Sequence, residues 1–386
     1  MSSCIQLVWV ALPFLVKSLG GSDTEVGLCF MGQMGLYVIF CILAGLIADK
    51  LKPHKVLMFS AAAEILITIG LLLTVMFQGD GTAFFSPITR LIILMSMAGV
   101  VTAFFWPVMM GWISTGHEGA ELTKRFGFYN TTWSSANMVL PVIAGYLMEI
   151  NYIFPIAGAV IMAILCFAAV ASTKYTPKAP VIYQNDTEII KEEIQFDRRP
   201  FVWISRIALF SIFICVGLFR SQVGILYKFE LGFAESAYGW AVAIMCFSNI
   251  VIFYIMGKSR WWHYKKALFF ISPAIVIASL AIVVLSGSLV MQLLAAGLGG
   301  IGYGFVYSSH QYYGVSGGNK RSALMAIHET TLGAGVATGA LFGGILSDAF
   351  GRYSPYKYAG WFIVIAGIAQ IILWISMKQK FSRRRH

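Results

Sequence analysis

The sequence has few charged residues, and this scarcity decides its broad class. Only 12% of the 386 residues are charged, whereas soluble domains carry about 25%. A chain so poor in charge cannot cover a globule with polar surface, which excludes a soluble enzyme. A hydrophobic content of 58% also excludes a disordered or fibrous protein. The mean hydropathy of +0.77 instead indicates a chain that lies mostly in lipid.

Sequence patterns for common catalytic and metal sites are also absent. The chain has no Walker-type Gly-x-x-x-x-Gly-Lys-(Ser/Thr) and no His-Glu-x-x-His. Its six cysteines lie in apolar runs, form no Cys-x-x-Cys pair and have no histidine at ligand spacing. We interpret them as small apolar residues of membrane helices. The sequence therefore predicts no enzymatic activity, no cofactor and no metal site.

Twelve apolar runs are long enough to cross a bilayer, for which a helix needs about 20 residues. The polar segment 173–201 separates six runs from six others; it holds three prolines and is typical of a linker. We predict an all-α membrane protein with an N-terminal six-helix bundle (1–172), a cytoplasmic linker (173–201) and a C-terminal six-helix bundle with a basic tail (202–386). The runs lie near 3–20, 26–48, 56–78, 88–113, 126–148, 152–172, 202–230, 237–257, 267–286, 289–315, 322–347 and 358–377.

Lysine and arginine predict the orientation of the chain. If the N-terminus is cytoplasmic, 21 of the 28 basic residues flank the spans on the cytoplasmic side and 5 flank them on the other side. Basic residues favour the cytoplasmic face of a membrane. We therefore predict that both termini are cytoplasmic in a multi-pass protein of the plasma (inner) membrane. The net charge of +11 is explained by these flanking residues, so no nucleic-acid partner is expected.

The two predicted halves share a pattern of glycines. Three glycines of the first half recur 212 residues later, and a fourth recurs 199 residues later. Two similar six-helix halves in parallel orientation are typical of transporters whose central site lies between the halves. The matched pairs are Gly20 with Gly232, Gly27 with Gly239, Gly45 with Gly257, and Gly145 with Gly344.

The loop after the second span carries a recognisable motif. Gly45, Asp49 and Lys50 lie at the spacing Gly-x-x-x-Asp-Lys, and Lys55 continues the basic character of the loop. In this motif, and in its twelve spans divided six and six, the chain resembles the major facilitator superfamily. Lys52 replaces the glycine that the family prefers at this position. The resemblance implies alternating access by two rocking bundles, with the loop that carries Asp49 acting as a cytoplasmic gate.

Ionisable residues inside spans are costly, by about 2.5–3.5 kcal/mol at mid-helix, and usually face the protein interior. Arg220 lies well away from both ends of the seventh span, and we predict that it lines a substrate pathway or holds a structural partner. Glu64, His328 and Glu329 are candidates for proton coupling. The alternatives are pairing with a neighbouring helix for Glu64 and a gate or indirect role for the other two.

Polar and aromatic side chains also recur at helical spacing on two spans. Such stripes indicate a hydrated interior path, although hydrogen bonds between helices or simple packing would produce the same pattern. Trp106, followed by Pro107, is predicted to break the fourth span. The remaining candidates for the substrate pathway are Asn130, Trp133 and Asn137 on the fifth span and Tyr303, Tyr307, His310 and Gln311 on the tenth.

These patterns predict a secondary active transporter that moves a small solute by alternating access and is coupled to protons or works as a uniport. We expect a monomer that contacts membrane lipids, a small-molecule solute and, in the coupled case, protons. The alternatives are a membrane-embedded lipid-modifying enzyme, a lipid flippase, and a solute sensor or scaffold on the same fold that binds without transport.

Overall fold

The computed structural model of the chain consists of helices. It describes residues 1–47, 52–77, 85–117, 119–173, 198–316 and 321–382, and within these residues it contains no β-strand. We number the helices α1–α12 in chain order. They are α1 Ser2–Ser18, α2 Asp23–Ile47, α3 Pro53–Met76, α4 Pro87–Ser114, α5 Gly119–Ile150, α6 Ile153–Ser172, α7 Arg198–Leu218 with its continuation to Phe229, α8 Glu235–Lys258, α9 Leu268–Leu285, α10 Leu289–Val315, α11 Arg321–Phe350 and α12 Ser354–Ser382.

The starts of several helices follow from local sequence. At the start of α2, Ser22 and Glu25 form a reciprocal capping box. The Glu25 amide donates to Ser22 Oγ at 3.1 Å and the Ser22 amide donates to Glu25 Oε2 at 2.8 Å. Pro53 and Pro87 open α3 and α4, where a missing N–H is tolerated. Each of these helices therefore starts near the residue at which its predicted apolar run starts.

Ten of the helices are long and apolar enough to cross a membrane. Of the other two, α1 is apolar but has 17 residues, and α5 has 32 residues and carries more polar side chains. This arrangement confirms the prediction of an all-α membrane protein. The outer helices α3, α6, α9 and α12 expose large apolar side chains to the surroundings, as expected in lipid; examples are Phe59, Ile161, Ile271 and Trp361.

One local expectation differs from the structure, and one helix contains a turn that the sequence did not predict. The prediction that Trp106 and Pro107 break the fourth span is wrong, because α4 continues through both residues. Proline removes one backbone donor, but buried membrane helices tolerate this loss when neighbouring groups satisfy the freed carbonyl. Conversely, α7 is not a uniform α-helix. It passes through a π-helical turn, Phe219–Val223, before a last α-helical segment, Gly224–Phe229.

Six of the eight glycines of the internal repeat lie where helices of the two halves touch; the other two, Gly20 and Gly232, have positive φ and an added Cβ at either would meet nothing within 4 Å. An added Cβ at Gly27 of α2 would lie 2.4 Å from the carbonyl oxygen of Ala340 on α11. At the matched position, a Cβ at Gly239 of α8 would lie 2.4 Å from the carbonyl oxygen of Pro141 on α5. The contacts α2–α11 and α5–α8 are therefore equivalent under the repeat. We call them the two seams.

Both seams are also closed at the end that charge predicts to be cytoplasmic. A Cβ at Gly45 would lie 2.6 Å from Ala326 Cβ, and a Cβ at Gly257 would lie 2.7 Å from Gly127 Cα. These two contacts join α2 to α11 and α5 to α8, so they are again equivalent. Only glycine lets the backbones approach this closely.

The opposite ends of the seams are closed in the same way. A Cβ at Gly344 of α11 would lie 2.4 Å from the carbonyl oxygen of Asp23 on α2. A Cβ at Gly145 of α5 would lie 2.7 Å from Ser236 Cα on α8. The two halves consequently meet at both ends of both seams, and we call this arrangement of the seams the closed conformation.

Candidate functional site

A cavity of about 140 Å³ lies between the two halves of the molecule. Its 20 lining residues come from α1, α2, α4 and α5 of the first half and from α7, α10 and α11 of the second. Seven carry polar or charged side chains and eight are aromatic. The cavity therefore combines apolar walls with a few polar groups, the usual composition of a small-molecule site.

Arg220 on α7 contributes the cation of this cavity. Its side chain is buried, with 4% exposed, and its Nη1 donates a hydrogen bond of 2.7 Å to Gln6 Oε1 on α1. The guanidinium also lies 5.7 Å from the centre of the Trp9 ring. Among the described residues no carboxylate forms an ion pair with Arg220, and its Nε has no hydrogen-bond partner.

The π-helical turn of α7 fixes the position of Arg220. A π turn displaces the backbone and leaves a carbonyl without its usual partner in the helix, and such turns are frequent at functional sites. Here the Tyr238 hydroxyl of α8 donates to the Arg220 carbonyl at 2.8 Å. In the same turn Gln222 Nε2 donates to the Asp23 carbonyl at 3.3 Å, which connects the turn to the start of α2.

Glu329 on α11 contributes a carboxylate to the same cavity. Its Oε2 accepts a hydrogen bond of 2.5 Å from the Tyr37 hydroxyl on α2, so this contact joins the two halves. The Glu329 side chain is buried, and His328 Nε2 lies 4.0 Å from its Oε1. Two hydrogen bonds in the cavity therefore join the halves. One involves the Arg220 guanidinium and the other involves the Glu329 carboxylate.

Aromatic rings form much of the cavity wall. The Phe213 ring packs edge-on against Tyr303, with 5.0 Å between ring centres, and is stacked on Tyr307 at 6.2 Å. Trp133 of α5 meets Tyr307 of α10 at 5.8 Å. Trp106 lines the cavity on the side of α4. These contacts give the cavity flat apolar surfaces from both halves.

A buried polar layer adjoins the cavity between α5 and α10. Asn130 Nδ2 donates to Gln311 Oε1 at 2.8 Å, and Trp133 Nε1 donates to Asn130 Oδ1 at 3.2 Å. His310 and His328 lie in the same region, with 2.8 Å between their Nδ1 atoms. Neither Asn130, His310, Gln311 nor His328 lines the cavity itself. Hydrogen bonds between helices, which the sequence left as an alternative for the stripes of α5 and α10, hold Asn130, His310 and Gln311 in this conformation.

The comparisons with known proteins agree with this architecture. A model of the Major Facilitator Superfamily matches residues 2–317. The chain belongs to this superfamily. It is therefore a membrane transporter, as predicted, and not an enzyme. No curated protein matches the sequence.

Solved structures of transporters share the fold at low sequence identity. The human organic anion transporter MFSD10 (TETRAN) superposes with a TM-score of 0.69 at 11% identity, covering 96% of both chains. A bacterial homolog of the human lysosomal transporter Spinster, inward-facing and occupied, gives a TM-score of 0.71 at 14% identity, covering 96% of this chain and 94% of that one. The nucleoside transporter NupG gives 0.67 at 12% identity, covering 96% and 98%. Because the sequence identities are so low, these similarities establish only the fold of this transporter.

The structure gathers several predicted residues of this transporter around one cavity. Arg220 and Glu329 line it, although the sequence assigned them to different roles. Asn137 also lines it, and its Oδ1 has no hydrogen-bond partner. The other predicted residues that line the cavity are Trp106, Trp133, Tyr303 and Tyr307.

Glu64 lies elsewhere. It is buried on α3, where its Oε1 accepts a weak hydrogen bond from Cys4 Sγ at 3.8 Å and its Oε2 has no partner. It does not line the cavity between the halves. A proton-coupling role of Glu64 would therefore need a second path through the first half.

The predicted cytoplasmic gate motif is only partly described. Gly45 packs against Ala326 across a seam, and Lys55 is exposed at the start of α3. Asp49 and Lys50 lie outside the described residues. The gate role of this motif stays a prediction.

Sequence reasoning missed several cavity residues. Gln6 and Gln33 are amides within apolar spans, a signal that should have placed them beside Arg220 as candidates. Trp9 follows Gln6 by one helical turn, and its Nε1 donates to Gln33 Oε1 at 2.6 Å. Tyr37 follows Gln33 by one turn on α2. Tyrosine is common in membrane helices, so sequence alone does not single it out.

The chemistry of the site is that of binding. Among the described residues, no group of three or more His, Cys, Asp or Glu side chains is placed to hold a metal ion. The cavity offers one guanidinium, one carboxyl group, amides and aromatic faces. These groups can bind and orient a small solute, and the carboxyl group can bind and release a proton.

Proposed function

We propose that this protein is a secondary active transporter that moves a small organic solute by alternating access and couples this movement to protons at Glu329. The main observation that supports this proposal is the position of the cavity. It lies between two pseudo-symmetric halves and is lined by both, and the two equivalent seams that join the halves are in contact at both of their ends. Opening one end of both seams at a time would expose the same cavity to one side and then the other.

The hydrogen bonds across the cavity support this mechanism. Tyr37–Glu329 and Gln6–Arg220 each join one half to the other. Both involve a charged or ionisable partner, so each responds to what occupies the cavity. A solute or a proton that replaces one of these bonds changes how tightly the halves are held together.

Glu329 is the best-placed group for proton coupling. It lies in the cavity, contacts the opposite half through Tyr37 and neighbours His328. An ionised carboxylate is costly in this apolar surrounding unless it is paired. Protonation therefore changes both the charge of the cavity and the bond to α2, which is the requirement for a coupling site.

The charge pattern supports an orientation for this transporter. We place both termini in the cytoplasm of a plasma (inner) membrane protein. The chain then consists of the bundles 1–172 and 202–386 with the linker 173–201 between them. The glycine contact of Gly127 with Gly257 lies at the cytoplasmic end, and that of Gly344 with Asp23 at the outer end.

The test is solute uptake by proteoliposomes with and without an inward proton gradient. Benzoate, uridine, glucose and phenylalanine are screened by thermal shift, and those that bind are used. We expect a proton gradient to drive accumulation in the wild type. Glu329→Gln, which keeps a group that accepts from Tyr37, should exchange solute but no longer accumulate it. Glu121→Gln, which removes an exposed carboxylate paired with Arg125, is the matched control.

Two results would contradict the proposal. If a solute binds tightly but is neither accumulated nor exchanged, the protein is a sensor or scaffold on this fold. If Glu329→Gln accumulates solute as the wild type does, the transporter is not coupled to protons at this residue.

A further inference from the structure

Arg220 is a buried cation whose partners in this closed conformation are neutral. Its neighbours include the amide oxygen of Gln6, the ring of Trp9 and the thiol of Cys246, and none of the described carboxylates forms an ion pair with it. A buried charge is costly unless it is paired and fully hydrogen-bonded. The unpartnered Nε leaves a second donor of the same planar group unused.

From these observations we propose that the solute is a carboxylate on a single aromatic ring, held by the Arg220 guanidinium between the aromatic walls of the cavity. This inference rests on the proposed function and names its substrate class. A guanidinium binds a carboxylate through two parallel N–H donors, and such charge-assisted pairs are about twice as strong as neutral hydrogen bonds. The carboxylate replaces Gln6, which is uncharged and supplies one acceptor.

The position of Arg220 is built into the fold. The π-helical turn displaces the backbone at this residue, and the hydrogen bond from the Tyr238 hydroxyl satisfies its carbonyl. A long side chain that only filled space would not need both the π-helical turn and the hydrogen bond from Tyr238. The turn therefore supports a binding role that is independent of the missing counterion.

The walls of the cavity define the rest of the solute. Trp9 lies beside the guanidinium, and Phe213, Tyr303 and Tyr307 form a cluster of rings further along the same cavity. Flat rings prefer offset or edge-on contacts with other aromatic groups. An aromatic body attached to the carboxylate would make these contacts.

The size of the cavity matches a solute of about one ring. The cavity measures about 140 Å³, and an apolar cavity of about 150 Å³ in another protein holds one benzene molecule. A single-ring carboxylate satisfies charge, shape and volume together.

The test measures binding to the purified full-length protein in detergent, with three matched probes. Benzoate has ring and charge, benzamide has the ring without the charge, and acetate has the charge without the ring. Binding is followed by ligand-induced thermal shift and by the change in tryptophan fluorescence, since Trp9, Trp106 and Trp133 line the cavity. We expect benzoate to bind at least about tenfold more tightly than either other probe, because benzamide lacks the charge-assisted hydrogen bonds and acetate lacks the aromatic contacts.

Variants of two arginines on α7 assign the effect to the cavity. Arg220→Gln should weaken benzoate at least about tenfold and leave benzamide nearly unchanged. Arg220→Lys keeps the charge and should still prefer benzoate to benzamide. Arg206→Gln is the control, because Arg206 lies over the Trp203 ring outside the cavity, and it should bind like the wild type.

The outcomes separate this inference from the proposed function. Benzamide binding as tightly as benzoate to the wild type overturns the inference, whatever the variants do. Benzoate binding equally well to Arg220→Gln also overturns it. If benzoate binds as expected but proteoliposomes move no solute, the substrate class stands and the transport proposal fails. If proteoliposomes move a neutral solute and benzoate does not bind, the transport proposal stands and the substrate class is wrong.

Discussion

The Tyr37 hydroxyl donates a hydrogen bond of 2.5 Å to the Glu329 carboxylate, and this bond crosses from the first half of the transporter to the second. Both residues line the central cavity. The bond lies on the α2–α11 seam beside Gly333, where an added Cβ would approach the Tyr37 ring to 2.9 Å. The proposed coupling residue is therefore part of the contact that closes the molecule.

Removal of the Tyr37 hydroxyl should weaken this closure. In Tyr37→Phe the buried Glu329 loses its donor from the opposite half, and an unsatisfied buried group costs about 1–3 kcal/mol. We expect a lower melting temperature in detergent, measured by intrinsic fluorescence. Tyr358→Phe on α12 removes an exposed hydroxyl and is the control. Equal melting temperatures for the two variants would show that the bond contributes nothing to the closed state.

A cysteine at position 216 can report when the cavity opens. Val216 lines the cavity and is half-buried, and valine and cysteine have similar volumes. The six native cysteines are first replaced by alanine or serine. The rate at which an impermeant thiol reagent modifies Val216→Cys, applied from one side of the membrane, then measures access from that side.

Larger residues in the seams should bias this access in opposite directions. Gly127→Val would place its Cβ 2.5 Å from Gly257 Cα, which forces the α5–α8 seam apart at the predicted cytoplasmic end. Gly344→Val would act on the α2–α11 seam at the other end, where the Asp23 carbonyl lies 2.4 Å from the added Cβ. Labelling of Val216→Cys should rise from the cytoplasmic side in the first variant and from the outer side in the second.

The control for this pair is Gly360→Val on α12, where an added Cβ meets nothing within 4 Å. It should leave both labelling rates unchanged. If Gly127→Val and Gly344→Val change access from the same side, the two seam ends do not gate opposite openings.

Two carboxylates at equivalent positions of the repeat also connect the two halves at the predicted outer end of the seams. Asp348 accepts from the Thr24 amide at 2.8 Å and from its hydroxyl at 2.5 Å, at the N-terminus of α2. Glu149 accepts from the Ser236 amide at 3.1 Å, at the N-terminus of α8. Asp348 and Glu149 are 199 residues apart and occupy equivalent places in the repeat. A carboxylate at a helix N-terminus contributes about 0.3–1 kcal/mol.

Neutralising these carboxylates should loosen the outer end. Asp348→Asn should raise labelling of Val216→Cys from the outer side by about fivefold or less, since 1 kcal/mol corresponds to about that ratio. Glu149→Gln should have a smaller effect because Glu149 makes one such bond. Labelling from the cytoplasmic side should not rise in either variant. If labelling rises from the cytoplasmic side alone, the assignment of the two carboxylates to the outer end is wrong.

A buried histidine outside the spans gives a prediction about pH. His263 lies between α8 and α9 and stacks on Tyr312, with 4.2 Å between ring centres. Burial, together with the charge of Arg260, lowers the pKa of His263 to about 3. The unfolded chain takes up this proton near pH 6.5, so stability is fully present above that pH and falls as the pH drops towards 3.

Replacing this histidine should remove its share of the pH dependence. His263→Phe keeps a ring against Tyr312 and has no proton to bind. Between pH 7 and pH 5 the melting temperature of the wild type should fall more steeply than that of the variant. Parallel melting curves over this range would contradict the role assigned to His263 burial.

The fold follows from the sequence because its determinants are local or repeated. Apolar runs of membrane length predict the helices, and six of the eight repeated glycines mark the seams. Gly27 and Gly239 illustrate the reason. A close contact between two backbones needs a glycine, so each of these contacts is visible as a glycine in the sequence. Arg220 is equally visible, since a charged residue in the middle of a long apolar run usually faces the protein interior.

The parts that the sequence did not predict depend on distant partners. The π-helical turn at Phe219–Val223 has no local signature, and its carbonyl is satisfied by Tyr238 on the next helix. Asp348 and Thr24 are 324 residues apart, so neither suggests the other. The residues of the polar stripe on α10 have different environments for the same reason. Tyr303 and Tyr307 line the cavity, whereas Gln311 is hydrogen-bonded to Asn130 of α5.

The most direct test of alternating access is the labelling of Val216→Cys from each side of the membrane, with the seams unaltered. Right-side-out and inside-out vesicles are treated with the same impermeant reagent, and the protein that lacks cysteine gives the background. We predict that the cavity reacts from both sides, each at a measurable rate, because the two seam ends open in turn. Reaction from one side alone, or from neither, would contradict a cavity that alternates between the two faces of the membrane.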